Sequence, residues 1–288
     1  MDYTTSPSLK VHHLGFLSGS FLKMFAIIIM FIDHFAAGII LPAIITGDMS
    51  KWLSFIDVEA TLSLEIQIYM VLRGIGRLAF PIFCYLLVEG FFHTHSKAKY
   101  SITLAIFALI SEIPFDFALI TYKSFDTLNL WEIYNKFETK IWESQNVYFT
   151  LALGMLAMWA SDTIKNKFKD QSQFLAYGLS LIPFALAALS AYLIKTDYDA
   201  YGIAVIAILY YFHNQRILAT LLAYLFLAAT MSTAINGGME EWSFPAFIMI
   251  NLYNGQRGFI KKNFKYFFYI FYPAHLVLIF CLRYLLLH

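Results

Sequence analysis

The stretch LKMFAIIIMFIDHF, residues 22–35, places a lysine and a histidine eleven positions apart in an almost entirely apolar run. At 100° per residue, eleven steps return Lys23 and His34 to within about 20° of one helical face, about 16 Å apart along the axis. If this helix spans a bilayer, Lys23 lies at one surface and Asp33 lies with His34 near the middle. Titratable groups at that depth are costly, and each is by default a hypothesis for a functional site. The stretch therefore predicts both a membrane fold and a site.

The composition agrees with a membrane protein. Of 288 residues, 60% are hydrophobic, 18% are aromatic and only 14% are charged, whereas a soluble domain carries about 25% charged residues. The net charge is +1, so the charge balance implies no nucleic-acid partner. The two cysteines, Cys84 and Cys281, lie in apolar runs and predict neither a disulfide nor a metal site.

Apolar runs of the length that a bilayer needs, about 17–25 residues, recur along the chain. They predict an all-α, polytopic integral membrane protein with about nine transmembrane helices, near residues 22–46, 66–91, 99–122, 146–162, 173–194, 199–213, 216–235, 242–256 and 264–286. These spans form a single domain at 22–288, after an N-terminal tail at 1–21. The longest connection, at about 123–145, is rich in aromatic residues and predicts an interfacial helix on the outer side.

The charges of the connections alternate along the chain, and Lys/Arg-rich connections mark the cytoplasm. Basic connections at 92–99 and 163–172 alternate with more acidic ones at 47–65 and 195–199. We therefore predict a cytoplasmic N-terminus, an outside C-terminus and a location in the bacterial cytoplasmic membrane. The first span is expected to be an uncleaved anchor, because polar residues to about position 20 lead straight into a long span with no small-residue cleavage site.

Polar side chains also interrupt the other predicted spans, namely Arg73, Arg77, Glu89, Glu112, Asp116 and His275. One interpretation is structural: the two arginines would pair with the two carboxylates of the third span and so fix helix register. Glu89 is expected to be an interfacial group, and His275 can be a hydrogen-bonded core histidine. Lys23 alone can be a basic flank of the first span. Pro81 can kink the second helix.

The functional interpretation centres on His34. The carboxylate of Asp33, directly before it, is expected to fix the tautomer of the ring or raise its basicity. A neutral imidazole is a suitable general base near working pH, and the chain has no Walker loop, dinucleotide fingerprint or metal-ligand cluster. Such a base can deprotonate a hydroxyl or amine that attacks a thioester. The same residues also suit a proton relay in a transporter, and spacing alone leaves both open.

Blocks along most of the chain resemble the TraX family, which is named for a protein that N-acetylates conjugative pilin. They are LKMFAIIIMFIDHF at 22–35, LRGIGRLAFPIFCYLLVEGFFHT at 72–94, KYSITLAIFALISEIPFD at 99–116, NVYFTLALG at 146–154, DYDAYGIAVIAILYY at 197–211, YNGQRG at 253–258 and KYFFYIFYPAHL at 265–276. TraX proteins are themselves similar to transmembrane acyltransferases, some of which share a basic residue and a histidine at the spacing of Lys23 and His34.

The resemblance implies an O- or N-acetyltransferase with cytosolic acetyl-CoA as acyl donor and an extracytoplasmic glycan, polymer or protein as acceptor. No metal is implied. The catalytic residues would be His34, Asp33 and His275. Cofactor contacts would come from Lys23, Arg73, Arg77, Asn254, Arg257 and Tyr272, and Glu89, Glu112 and Asp116 would form a structural polar layer. A secondary transporter and a non-catalytic membrane assembly factor remain the alternatives.

Overall fold

The computed structural model describes residues 15–53, 58–120, 129–138, 140–232, 238–260 and 264–287. The regular elements in those ranges are helical, which confirms the all-α class. They are α1 Gly19–Phe35, a π-helical turn Ala36–Ile40, α2 Leu41–Thr46, α3 Asp48–Trp52, α4 Val58–Gly76, α5 Ala79–His93, α6 Lys97–Phe115, a second π-helical turn Asp116–Ile120, α7 Leu130–Phe137, α8 Val147–Phe168, α9 Gln173–Ser180, α10 Ile182–Leu193, α11 Asp199–Tyr211, α12 Arg216–Thr230, a 3₁₀ turn Glu240–Ser243, α13 Phe244–Asn251 and α14 Lys265–Leu286.

Six helical stretches within the described ranges are long and apolar enough to cross a membrane. They are Gly19–Thr46, Leu62–His93, Lys97–Leu119, Val147–Phe168, Gln173–Leu193 and Tyr266–Leu286. Two further apolar helices, α11 and α12, are shorter. This pattern is compatible with a multi-pass membrane protein. The predicted count of nine crossings, the orientation and the division at residues 21 and 22 stay predictions.

The connection predicted at 47–65 is largely helical. It contains α3 and the start of α4, and Glu65 is 1% exposed rather than part of a loop. The carboxylate of Glu65 accepts a hydrogen bond of 2.8 Å from Ser50 Oγ, which compensates for its burial. Of the predicted interfacial segment, residues 121–128 and 139 lie outside the described residues, and α7 is its helical part.

Pro81 lies close to a break between two helices, as the sequence predicts. Pro81, in the first turn of α5, has no N–H to donate to the carbonyl of residue 77, and the chain turns at Arg77 and Leu78 between α4 and α5. Pro114 lies in the last turn of α6, directly before the second π-helical turn. The first π-helical turn begins two residues after His34, and such turns are frequent at functional sites.

The two π-helical turns pack against each other and against α14. A Cβ at Gly38 would lie 2.5 Å from Ile279 Cγ2 and 3.0 Å from the Ala118 carbonyl oxygen, so this contact requires glycine. Buried Arg283 of α14 donates hydrogen bonds of 2.6 and 3.1 Å to the carbonyls of Phe117 and Ala118. These contacts hold α1 beside α14 and thereby bring His34 to His275.

Candidate functional site

Two histidines from α1 and α14 form the centre of the candidate site. His34 Nδ1 lies 2.6 Å from His275 Nε2, and both residues are buried. The ring planes are within 6° and the ring centroids are 4.9 Å apart. With nitrogens in hydrogen-bond contact, that geometry is an edge-to-edge arrangement in nearly one plane and not a face-to-face stack. The two imidazoles therefore share one in-plane hydrogen bond.

The hydrogen-bond partners assign the tautomers of both rings. His275 Nδ1 lies 2.9 Å from the Phe271 carbonyl oxygen. A carbonyl oxygen only accepts, so this nitrogen carries the proton and neutral His275 presents a bare Nε2. His34 Nδ1 must then donate to that Nε2. Neutral His34 is left with an unprotonated Nε2, which is the atom that a general base needs.

Aromatic rings surround the histidine pair. Tyr272 meets the rings of His34 and His275 edge-on, with centroid distances of 5.8 and 5.5 Å. Phe271 stacks on His275 at 5.1 Å, and Phe31 meets the same ring edge-on at 6.2 Å. Tyr272 is 2% exposed. This wall keeps water away from the imidazoles, which strengthens every polar interaction inside it.

Asp33 does not hold the His34 ring, so the predicted pairing of these two residues is wrong. Its carboxylate is 2.7 Å from Arg73 Nη1, and 2.9 and 3.1 Å from Arg77 Nη2. Consecutive residues on a helix project about 100° apart. Asp33 therefore faces the arginines of α4 and the following turn, while His34 faces α14, where His275 makes the bond expected of Asp33.

The ion pairs continue into residues that sequence reasoning left in loops. Arg77 Nη1 donates to Glu240 Oε1 at 3.1 Å and lies 3.4 Å from the Tyr198 hydroxyl. Burial raises the pKa of Glu240 to about 6, against the lowering effect of Arg77. Burial also raises the pKa of Asp197 to about 6, again opposed by Arg77. The sequence feature that could have identified these residues is a carboxylate or a tyrosine in a short connection between apolar runs.

A strained loop places Tyr198 beside Arg77. Tyr198 has a φ of +64°, a backbone state that costs a bulky residue about 1–3 kcal/mol. The loop is fixed by hydrogen bonds from Gln145 N to the Lys195 carbonyl, 2.9 Å, and from Asp197 N to the Gln145 carbonyl, 2.7 Å. The Tyr198 ring also stacks on Phe80, with centroids 3.5 Å apart. These contacts impose the conformation that the chain would otherwise avoid.

Glu112 and Asp116 take different partners from the arginines that the structural interpretation gave them. Glu112 Oε2 accepts hydrogen bonds from Asn146 Nδ2 at 2.6 Å and from Asn146 N at 3.1 Å. Asp116 Oδ2 accepts one from Trp142 N at 3.2 Å. Both carboxylates are fully buried. They hold the segment that leads into α8, and the predicted pairing with Arg73 and Arg77 is wrong.

The residues predicted to contact the donor fall into two groups. Arg73 and Arg77 contact Asp33, and Tyr272 contacts the rings of both histidines. Lys23, Asn254 and Arg257 lie near the start of α1. Lys23 Nζ is 5.8 Å from the centroid of the Phe268 ring, and the positive charge of Arg257 lies close enough to repel it. Arg257 Nε donates to the Ile260 carbonyl at 3.1 Å, and Asn254 Oδ1 accepts from Gln256 N at 2.9 Å.

The backbone around Arg257 forms hydrogen bonds with the start of α1. Gly19 N donates to the Gln256 carbonyl at 2.8 Å and Ser20 N donates to the Arg257 carbonyl at 2.7 Å. The first amide groups of α1, which a helix leaves without internal partners, are thus satisfied by protein. An anion near Lys23 would have to bind through side chains and not through these amides.

Glu89 lies away from the histidine centre. It lies nine residues along α5 from Phe80, the residue that stacks on Tyr198 beside Arg77, and nine residues of helix span about 14 Å. Its carboxylate accepts a hydrogen bond of 2.9 Å from the Tyr85 hydroxyl and lies 3.3 Å from His213 Nε2. The described part of the chain holds no group of three or more His, Cys, Asp or Glu side chains that could bind a metal ion.

Fold and site together define a helical protein, compatible with multiple membrane crossings, that has a buried imidazole pair beside a network of arginines and carboxylates. The chain belongs to the TraX family, whose model, described as "TraX protein", matches residues 18–283. This confirms the resemblance seen in the sequence. One similar protein is "Probable fimbrial assembly protein FimC, serogroup H1" from Dichelobacter nodosus, 30% identical over 222 residues, or 73% of this chain and 82% of that protein. No solved structure shows a significant match.

Gly76 gives Asp33 the room to reach its arginines, and this can be tested by mutation. A Cβ at Gly76 would lie 2.0 Å from Asp33 Oδ1, so Gly76→Ala should displace the carboxylate and destabilise the protein by about 1–3 kcal/mol. Thermal unfolding in detergent measures this. Gly178→Ala is the control, because nothing lies within 4 Å of its added Cβ and alanine favours a helix. Equal melting temperatures for both variants would contradict the close approach of Gly76 and Asp33.

Proposed function

We propose that this protein is a membrane acetyltransferase that transfers an acetyl group from cytosolic acetyl-CoA to an extracytoplasmic acceptor, with His34 as the general base. The observation that carries the proposal is the hydrogen-bond chain from His34 through His275 to the Phe271 carbonyl. It leaves a bare His34 Nε2 in a buried site. The TraX family supports the same reaction, through the pilin acetylation for which the family is named.

The acceptor that the comparisons favour is a protein. The similar protein from Dichelobacter nodosus is named for fimbrial assembly, and the resemblance to TraX points to pilin. We therefore propose an amine or hydroxyl of a pilus or fimbrial subunit as the acceptor, ahead of a glycan or another polymer.

His34 and His275 have different roles in the proposed reaction. When bound, acetyl-CoA supplies a thioester carbonyl that an amine or hydroxyl can attack. His34 Nε2 removes the proton of the attacking group, and the Nδ1–H bond to His275 keeps the ring oriented while it carries the charge. The proton then passes from Nε2 to the departing sulfur, so His34 returns to its starting form. No proton is gained or lost overall.

Arg73 is the cation best placed to stabilise the oxyanion that develops during attack. Its side chain is 25% exposed, against 14% for Arg77. A guanidinium has five N–H donors, and Arg77 already contacts Asp33, Glu240 and Tyr198. Fixed donors aimed at developing negative charge are usually the largest catalytic contribution.

Lys23 and Arg257 fit the phosphate end of the donor. Both are cations near the start of α1, where Ser20 N donates to the Arg257 carbonyl at 2.7 Å, and an anion between them would pair with both charges. Lys23 lies about 16 Å along α1 from His34, which leaves room for an extended donor between the phosphates and the reactive carbonyl.

A second candidate function is a non-catalytic assembly factor, because the similar protein is named only for fimbrial assembly. In that case the histidine pair would be a structural element of the helix core, and its loss would matter only through folding.

The deciding experiment supplies the purified protein in nanodiscs with isotope-labelled acetyl-CoA and purified pilus subunit. Mass spectrometry of the subunit and release of free coenzyme A report transfer. We expect both signals to require wild-type protein and subunit together. If the subunit stays unlabelled while a His34→Asn variant still supports pilus assembly in cells, the assembly factor is correct and the acetyltransferase is not.

A further inference from the structure

An apolar groove lies at the surface between α9 and α11, far from the histidine pair. Its volume is about 620 Å³, within the range of about 300–1,000 Å³ that holds small molecules. Its lining is Phe174, Tyr177, Gly178, Leu181, Ala207, Ile208, Tyr211 and Phe212. Among these residues Gly178 faces open space, because an added Cβ there would have no neighbour within 4 Å.

A lysine stands at the edge of this groove. Lys165 Nζ lies 4.3 Å from the ring centroid of Tyr210, 5.2 Å from that of Tyr211 and 5.7 Å from that of Tyr177. Tyr177 and Tyr211 also line the groove. The positive charge of Lys165 thus lies directly beside the apolar groove, and the faces of the aromatic rings stabilise it there.

Hydrogen bonds fix this edge before any ligand binds. The Tyr211 hydroxyl lies 3.0 Å from Ser161 Oγ of α8 and 2.8 Å from Ser180 Oγ of α9. Ser180 is the last residue of α9, directly before the break at Leu181 that opens the groove. Tyr211, which contacts Lys165 and lines the groove, is therefore hydrogen-bonded to two helices.

The charged residues around Lys165 leave its ammonium group available to bind an anion. The nearest carboxylate of α8, Asp162, is paired at 2.5 Å with Lys97. Within the described ranges no carboxylate forms an ion pair with Lys165 itself. Lys167 lies in the last turn of α8 and Lys169 directly follows the helix, and both are exposed. The charge next to the groove thus complements an anion.

We propose that this groove is a binding site for an anionic phospholipid, with its phosphate at Lys165 and one acyl chain along the groove. The chain has helices long and apolar enough to cross a bilayer, so acyl chains are the apolar ligand that a surface groove on those helices meets. A lysine near an anionic headgroup strengthens binding by about five-fold. Tyr148, near the start of α8, contacts Tyr272 beside the histidines, with ring centroids 4.9 Å apart. Lys165 lies seventeen residues further along α8, about 26 Å. The site is therefore independent of the proposed acetyl transfer.

The test measures lipid affinity by native mass spectrometry of the full chain in detergent. The probes are phosphatidylglycerol and phosphatidylcholine with identical acyl chains, and glycerol phosphate as a headgroup without chains. Lys165→Gln removes the charge, and Gly178→Phe fills the groove from a position with open space. Lys169→Gln and Leu186→Phe are the matched controls. The first removes a charge directly after the helix that carries Lys165, and the second adds a ring to the exposed face of α10.

We expect wild type and both controls to prefer phosphatidylglycerol by about five-fold or more. Lys165→Gln should lose that preference, and Gly178→Phe should weaken binding of both lipids by at least as much. A thermal melt of each variant shows that it is folded. Wild-type preference in Lys165→Gln, or wild-type affinity in Gly178→Phe, would overturn the proposal. So would competition by glycerol phosphate as strong as that of the whole lipid, since the site would then bind free phosphate.

Discussion

Replacing His34 by asparagine should lower kcat for acetyl transfer by about 10²–10⁴-fold, the range that a positioned general base contributes. An asparagine side chain keeps an N–H donor near the position of Nδ1, so the bond to His275 Nε2 can remain. It has no nitrogen at the position of Nε2, which is the proposed proton acceptor. The apparent KM for acetyl-CoA should change little, because the proposed phosphate contacts lie at Lys23 and Arg257. Coenzyme A release under saturating acceptor measures both constants.

The matched control for this experiment is His93→Asn. His93 is the last residue of α5, and its side chain is 71% exposed and far from the histidine pair. This variant should transfer acetyl groups at the wild-type rate. A His34→Asn protein with unchanged kcat would remove His34 from the mechanism, whatever the effect on the control.

Replacing Asp33 by alanine should lower the free energy of unfolding by about 3–5 kcal/mol, the usual cost of breaking a buried ion pair by removing one partner. Asp33 serves two arginines at once, with contacts of 2.7 Å to Arg73 and 2.9 Å to Arg77. The Arg77 side chain is only 14% exposed, so water cannot replace the lost carboxylate. Chemical or thermal unfolding in detergent measures the loss, and transfer should fall with it because Arg73 is released.

Asp48→Ala provides the comparison for Asp33. Asp48 pairs with Lys51 at 2.5 Å, but the Lys51 side chain is 75% exposed, and such surface pairs contribute little to stability. The unfolding curve of this variant should nearly match that of wild type. If Asp33→Ala were as stable as wild type, the arginine network would contribute nothing to the stability of the fold. The assignment of Asp33 as its centre would then fail.

The sequence by itself determined the class of the fold and the position of its most unusual residues. Long apolar runs must form helices in a bilayer, because every backbone group needs an internal partner there. Pro81 marked the break between α4 and α5, since proline removes a helical hydrogen bond. His34 and His275 stood out because a polar group within an apolar run is costly and is rarely kept without a role. Seven distinct sequence blocks resembled the TraX family, and the family match over residues 18–283 confirmed the resemblance.

Only the tertiary structure decided which polar groups meet. An apolar surrounding requires each buried polar group to find a partner, but the partner depends on the rotation and depth of two packed helices, which no single segment encodes. Asp33 therefore pairs with Arg73 and Arg77 instead of its neighbour in sequence, and His34 pairs with His275.

The same reason explains the residues that sequence reasoning left in loops. Glu240 and Tyr198 belong to short connections, and they reach Arg77 only because the chain folds those connections back onto the helices. Glu112 turns to Asn146 for the same reason. The sequence determines that the buried charges need partners, and the packing of the helices determines which partners they have.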